Sequence, residues 1–151
     1  MTTGTLLAIA IKPTSHQPMI DLSECVVTLD SGLTGDARGR TRGRQVTIVA
    51  REAWAEAGDA LGREVPWTAR RANLLVEGFN FENTEGRILQ VGPVRLEITG
   101  ETLPCARMDE AHPGLRQALG PQWRGGVTTK VVSAGTISPG DSVTWDPQAR
   151  T

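Results

Sequence analysis

The chain has 151 residues, enough to bury one hydrophobic core, and carries sixteen basic against seventeen acidic side chains. A formal net charge of −1 gives no global field for collecting nucleic acid or an anionic membrane, so any anion site must be local. No apolar run approaches the ~20 residues that span a bilayer and no basic segment precedes the first apolar stretch, which sets a cytoplasmic expectation with no membrane partner.

In chain order, short β-branched runs punctuated by glycine predict strands over residues 5–11, 25–29, 45–49 and 73–76. Four more are expected over 87–91, 94–99, 127–133 and 142–145. Gly92-Pro93 fits a tight turn that makes 87–99 one hairpin. Helical spacing is clear over 51–61, where Ala50, Ala53, Trp54, Ala57 and Leu61 share a stripe and Gly62 can end the helix. That helix is expected to pack across a mouth of the sheet. A shorter helix is expected from Pro113 to Leu119, stopped by Gly120-Pro121. Seventeen glycines among many short strands, without a repeat or low-complexity linker, predict one domain over 1–151, mainly β, in a sheet closing on itself with one or two helices.

Two cysteines, Cys25 and Cys105, are too few for a disulfide framework or a cysteine-based zinc site. Cys25 opens an apolar strand and reads as a small core residue. Cys105 follows the strand that ends near Gly100. Pro104 stiffens its approach and Arg107 brings a fixed charge two residues away, a setting that can lower a thiol pKa and make a nucleophile or soft metal ligand. The competing reading is an inert residue at a turn.

Residues 32–44 alternate glycine with Arg38, Arg40, Arg42 and Arg44, which would project to one side of an extended backbone. Backbone N–H groups and guanidinium forks there suit a phosphate, unless the loop is merely solvated and mobile. Arg71 and Asn73, at a strand entry, would share a face and suit a heterocycle or phosphate, or else satisfy loop carbonyls. The segment 135–141 reads as structural turns, with Asp141 tying the last strand down. His16 and His112 lack a spaced partner, no Ser-His-Asp grouping or phosphate-binding glycine motif is present, and no aromatics interleave the arginines for base stacking.

Taken in order, Lys12-Pro13, Leu33-Thr-Gly-Asp36, Arg44-Gln45-Val46, Arg71-x-Asn73-Leu74, Val76-x-Gly78, Gly86-x-x-Leu89-x-Val-Gly92, Pro104-Cys105, Gly126-Val127 and Gly135-x-Ile-x-x-Gly140-Asp141 resemble the MOSC domain, the C-terminal module of molybdenum cofactor sulfurases. The resemblance covers nearly the whole chain. It implies a closed or nearly closed β-barrel similar to the small barrel domain of pyruvate kinase, and a role in handling molybdenum cofactor or sulfur. Carried over, Cys105 is the sulfur carrier, as a persulfide, or the molybdenum ligand, and Arg71 and Asn73 lie by the pterin and its phosphate. Lys12, Arg38, Arg44 and Arg107 complete the expected cofactor-binding set.

The partners implied are cofactor-synthesis or sulfur-donor proteins, and no nucleic acid. A chain of this length has no room for the sulfurases' pyridoxal-phosphate lobe, so it is not expected to extract sulfur from cysteine. Two alternatives stand beside the carrier: a molybdenum-cofactor-dependent reductase of N-hydroxylated compounds served by an electron donor, and a non-catalytic module that binds an anion or anionic partner through the arginines.

Overall fold

The computed structural model describes residues 3–14, 17–41, 43–69, 71–102, 109–110 and 112–147. The strands are β1 Thr3–Ile11, β2 Ile20–Leu22, β3 Cys25–Thr28, β4 Gly32–Leu33, β5 Val46–Ala50, β6 Leu74–Glu77, β7 Ile88–Val91, β8 Val94–Glu101, β9 Val127–Ser133, β10 Gly135–Ile137 and β11 Ser142–Trp145. The α-helices described in full are α1, Arg51–Leu61, and α2, Leu115–Leu119. No helix among the described residues is long and apolar enough to cross a membrane.

Seven strands run in the order β11-β7-β8-β9-β5-β6-β1, and β1 pairs back with β11, so the sheet closes into a barrel. β2 extends β1 beyond the closure, and β10-β3-β4 form a separate small sheet. Every barrel pairing is antiparallel except β5–β6, which is parallel. A parallel pair needs a crossover, and α1 with the segment after it supplies one.

Side-chain alternation fills the interior. Val46, Ile48 and Ala50 of β5, Leu74 and Val76 of β6, Leu89 and Val91 of β7, and Val94, Leu96 and Ile98 of β8 all join one buried cluster. On β1 the alternation slips: Leu6 and Ile9, three apart, both enter the cluster, because the register against β6 shifts between Leu6 and Ala8. Cys25, Val27, Leu33 and Ile137 of the small sheet extend this core.

A second cluster lies on the other side of β5. Val49 faces out of the barrel and meets Trp54 and Ala57 of α1, Val65, Ala72, and Leu115, Ala118 and Leu119 of α2. The helix expected across a mouth therefore does two things: Ala50 and Ala53 pack on the barrel core, while Trp54, Ala57 and Leu61 cover the outer wall. Gly62 ends α1 in the left-handed conformation, its N–H donating to Asp59 O at 3.1 Å. The second helix starts at Leu115 rather than Pro113, because Gly114 is left-handed and breaks the helical backbone.

The eight expected strands are present, and Val91 pairs Val94 across the Gly92-Pro93 turn. Three strands escaped the pattern, β2, β4 and β10, each only two or three residues long. The segment 135–141 does tie the end of the chain down: Asp141 O accepts from Leu6 N and its Oδ2 from Ser138 N.

Candidate functional site

The arginine-bearing loop is not extended. Successive turns fold it, with Gly39 N donating to Asp36 O, Thr41 N to Arg38 O and Arg44 N to Thr41 O. Its two ends are clamped. Asp36 Oδ1 accepts from Lys12 N at 2.9 Å, Ala37 N donates to Lys12 O, and Thr99 Oγ1 donates to Gly43 O at 2.6 Å.

Gln45 fixes the middle. Its buried amide donates to Leu29 O at 2.7 Å and Gly39 O at 3.2 Å, and accepts from Val131 N at 2.9 Å. Gly39 is pressed against the β3–β4 turn, so a Cβ there would fall inside the van der Waals shell of Ser31 O. The loop's backbone is thus anchored, while the side chains of Arg38, Arg40 and Arg44 are exposed.

These turns bring Arg38 and Arg44 to one small cleft with Asp36, Thr47, Arg71 and Asn73. The cleft has room for about 20 Å³, enough for one or two oxygen atoms and not for a heterocycle. Three arginines and one aspartate are among its lining residues. That carboxylate is engaged by backbone, since Asp36 Oδ2 accepts from Arg38 N at 3.3 Å while Oδ1 takes Lys12 N. Guanidinium forks are the kind of donor that suits an oxyanion.

Asn73 shares the cleft but its amide is already employed. Oδ1 accepts from Thr47 N at 3.0 Å and Thr47 Oγ1 at 3.1 Å, and Nδ2 donates to Ala10 O at 3.2 Å. It stitches β1 to β5 across the start of β6, and so sets the floor. Thr47 also reaches Arg71 O at 3.3 Å, which fixes the backbone from which that guanidinium extends. Lys12 contributes its backbone to the loop clamp.

Sequence reasoning did not single out Thr47 or Gln45. A glutamine entering an otherwise apolar strand, in Arg44-Gln45-Val46, was the available signal for Gln45. Cys105 and Arg107 lie outside the described residues, as do Arg42 and Arg70. Among the described residues no group of three His, Cys, Asp or Glu could hold a metal ion.

Cys25 is buried with the barrel core, its Sγ–H directed at Val26 O at 3.6 Å. Burial pushes its thiol pKa up, the nearby Asp36 carboxylate adds to this, and a backbone hydrogen bond at Thr34 opposes it. The thiol therefore stays protonated above the pH at which a free cysteine ionises. We expect iodoacetamide near neutral pH to label Cys25 at least about a hundredfold more slowly in the folded than in the urea-unfolded protein, read by peptide mapping. Comparable rates would show that the site is open.

A larger groove of about 790 Å³ runs along α1 beside Trp54, Val65 and Pro66. It contains none of the residues expected to act, and its rim mixes Arg51 and Arg63 with Asp59 and Glu64, so it has no preferred ligand charge.

Against known families, the sequence profile of the MOSC domain matches residues 34–144. The chain belongs to the MOSC domain family. No curated relative matches the sequence. Among solved structures, the domain is similar to the YuaD protein of Bacillus subtilis, with a TM-score of 0.79 at 20% identity over 93% of this chain and 94% of that one. It is also similar to YiiM from Geobacillus stearothermophilus, with a TM-score of 0.74 at 17% identity over 95% of this chain and 75% of that one. YiiM from Escherichia coli gives 0.71 at 17% identity over 97% and 71%. These likenesses establish the shared fold of the MOSC domain. The matched segment holds Asp36, Arg38, Arg44, Thr47, Arg71 and Asn73, the whole lining of the cleft.

Proposed function

We propose that this MOSC domain grips the phosphate end of a molybdenum cofactor in the arginine cleft and uses Cys105 either to hold the metal or to carry sulfur as a persulfide. The observation that carries the reading is the convergence of Arg38, Arg44 and Arg71 on one cleft floored by Thr47 and Asn73. Three arginines and one aspartate line the cleft, a donor set that suits a phosphate monoester, whose charge is roughly −2. Guanidinium stays charged at any physiological pH and binds oxyanions with paired N–H groups.

The donor set fits an oxyanion, and the cleft's small volume means that a heterocycle would lie outside it. Arg38, Arg44 and Arg71 would hold the phosphate, over the floor that Thr47 and Asn73 set. When bound, the molybdenum cofactor supplies redox chemistry that no side chain here has. Cys105 supplies the soft ligand, since the other thiol, Cys25, is buried and kept protonated.

As a carrier, the Cys105 thiolate attacks the outer sulfur of a donor persulfide. A new S–S bond forms, the donor's S–S bond breaks, and the donor leaves as its thiolate. Transfer onward is the same exchange with Cys105 as the leaving thiolate. Arg107, two residues along the chain, would favour that anion electrostatically.

The test is metal analysis and intact-mass spectrometry of protein made in cells that synthesise the cofactor. Wild type should carry molybdenum or a 32-dalton sulfur adduct on Cys105, and Cys105→Ala should carry neither. Arg44→Gln should retain the adduct while losing cofactor by about tenfold. Equal, negligible molybdenum and no adduct in wild type and Cys105→Ala would remove the proposal.

A further inference from the structure

We infer that Gly100, Glu85 and Thr102 form a platform for the pterin of the cofactor, on the outer wall of the barrel beside the arginine cleft. The inference rests on the proposed function for the phosphate that anchors the ligand, and it places the ring system that the cleft is too small to take.

Strand register connects the two places. Thr47, in the cleft, stands opposite Thr128 of β9, and Thr128 stands opposite Gly100 of β8. Both threonines alternate with core residues, Val46 and Ile48 on one strand and Val127 on the other, and so face outward. Two strand spacings, roughly 10 Å, separate the cleft from Gly100, a span that the phosphate ester of a two-ring heterocycle can cover. The ground between is tied together: Thr128 Oγ1 and Thr99 Oγ1 share a hydrogen bond of 2.7 Å, and Thr99 Oγ1 donates to Gly43 O of the arginine loop.

The floor is a glycine that the fold does not require. Among the described strand glycines, Gly4 and Gly135 have no room for a Cβ, against Glu77 O and the Pro93 ring, and Gly32 has a φ of +60°. Neither reason applies to Gly100. Its φ is not left-handed, and among the described residues a Cβ would meet only Glu85 Oε2, at 3.9 Å. The bulge between Ile98 and Gly100 does not call for glycine either, since a bulge needs it only where φ is positive. Glycine inside a strand weakens the strand, and it leaves the backbone open to close approach by a flat ligand.

A buried hydroxyl without a partner stands beside this floor. Thr102 is 6% exposed and its Oγ1 has no hydrogen-bond partner. The other buried polar side chains among the described residues, Gln45, Asn73, Thr84, Thr128 and Thr129, all have one. An unmet buried hydroxyl costs about 1–3 kcal/mol, a cost that an acceptor on a ligand removes. Thr102 N–H donates to Gly126 O at 2.9 Å and so extends the β8–β9 ladder, which puts Thr102 two residues beyond Gly100 on the same face.

Glu85 sets the ligand chemistry. It is exposed, lies beside Gly100 and joins none of the ion pairs among the described residues. An ionised carboxylate accepts two parallel N–H bonds, the pattern that the amino group and ring N–H of an aminopyrimidinone present side by side. A pterin has that edge and adenine lacks it.

The probe is hydroxymethylpterin phosphate, titrated into the purified chain and followed by its own fluorescence, beside calorimetric titrations of inorganic phosphate and AMP. The pterin phosphate should bind at least about tenfold more tightly than either. Gly100→Val and Glu85→Gln should each remove most of that advantage while inorganic phosphate affinity and Tm hold, since valine suits a strand and Glu85 is exposed. Thr102→Val should weaken the pterin phosphate by about fivefold yet raise Tm, and Thr102→Ser should bind as wild type does. Arg44→Gln should weaken all three ligands. These titrations need neither molybdenum nor sulfur on Cys105, so the carrier role and the platform stand or fall separately. Equal binding of pterin phosphate and inorganic phosphate, tighter binding of AMP, indifference to Gly100→Val or Glu85→Gln, or equal loss of both phosphates in those variants would each overturn the inference.

Discussion

Asn73→Ala should lower the stability of the barrel by about 3 kcal/mol, because the buried amide leaves Thr47 N–H and Ala10 C=O without their partners. For a domain of this length that is a fall of roughly 6–12 °C in Tm. The backbone of Asn73 already bonds both neighbours, its O accepting from Ala10 N and its N donating to Thr47 O. The side chain repeats the same two connections, so it acts as an extra peptide group between strands that meet at the start of β6. Phosphate affinity should fall with stability, since Thr47 and Arg71 are both set by this joint. Arg44→Gln is the control: the residue is exposed and makes no ion pair among the described residues, so phosphate binding should drop while Tm holds. Thermal melts beside calorimetric phosphate titrations decide the matter. An Asn73→Ala protein as stable as wild type but blind to phosphate would make Asn73 a direct ligand and refute the structural role.

Gly39→Ala should separate the loop from the barrel. A methyl group has no room against Ser31 O, and that contact is backbone, which cannot swing aside. Overpacking of this kind costs about 1–3 kcal/mol, and its relief must come from movement of the segment carrying Arg38. We expect phosphate binding to weaken by more than about tenfold, beyond what loss of a single guanidinium contact would give. Gly43→Ala is the comparison, since its Cβ would meet nothing within 4 Å, although its φ of +75° carries some backbone strain. If Gly39→Ala binds phosphate as well as Gly43→Ala does, the packed turn is not what positions the arginines.

Much of the fold was legible because barrel strands obey period-two alternation strongly enough to be seen, as in Val46, Ile48 and Ala50 or Val94, Leu96 and Ile98. β2, β4 and β10 were not, since two or three residues cannot display a period. The loop was legible in composition and misleading in geometry. Arginines at alternate positions suggest a one-sided extended rail, whereas turns gather Arg38 and Arg44 and leave Arg40 outside the cleft. Those turns depend on contacts distant in sequence, such as Gln45 with Val131 and Thr99 with Gly43, which no local pattern encodes. Asn73 shows the same limit from the other side. A buried amide and a ligand-binding amide look identical in a sequence, and only the positions of Thr47 and Ala10 tell them apart.

The pairing of β1 with β11 has a kinetic consequence. Thr3, Gly4 and Thr5 find Thr144, Val143 and Ser142 only after everything between them has been made, so the barrel closes late. Such long-range closure folds slowly, because the entropy of a large loop must be given up before its contacts form. During synthesis the growing chain carries an open sheet with apolar inner faces, a species prone to stray edge pairing. A chaperone that shields nascent strands would therefore raise the yield of this protein more than that of a helical bundle of equal size.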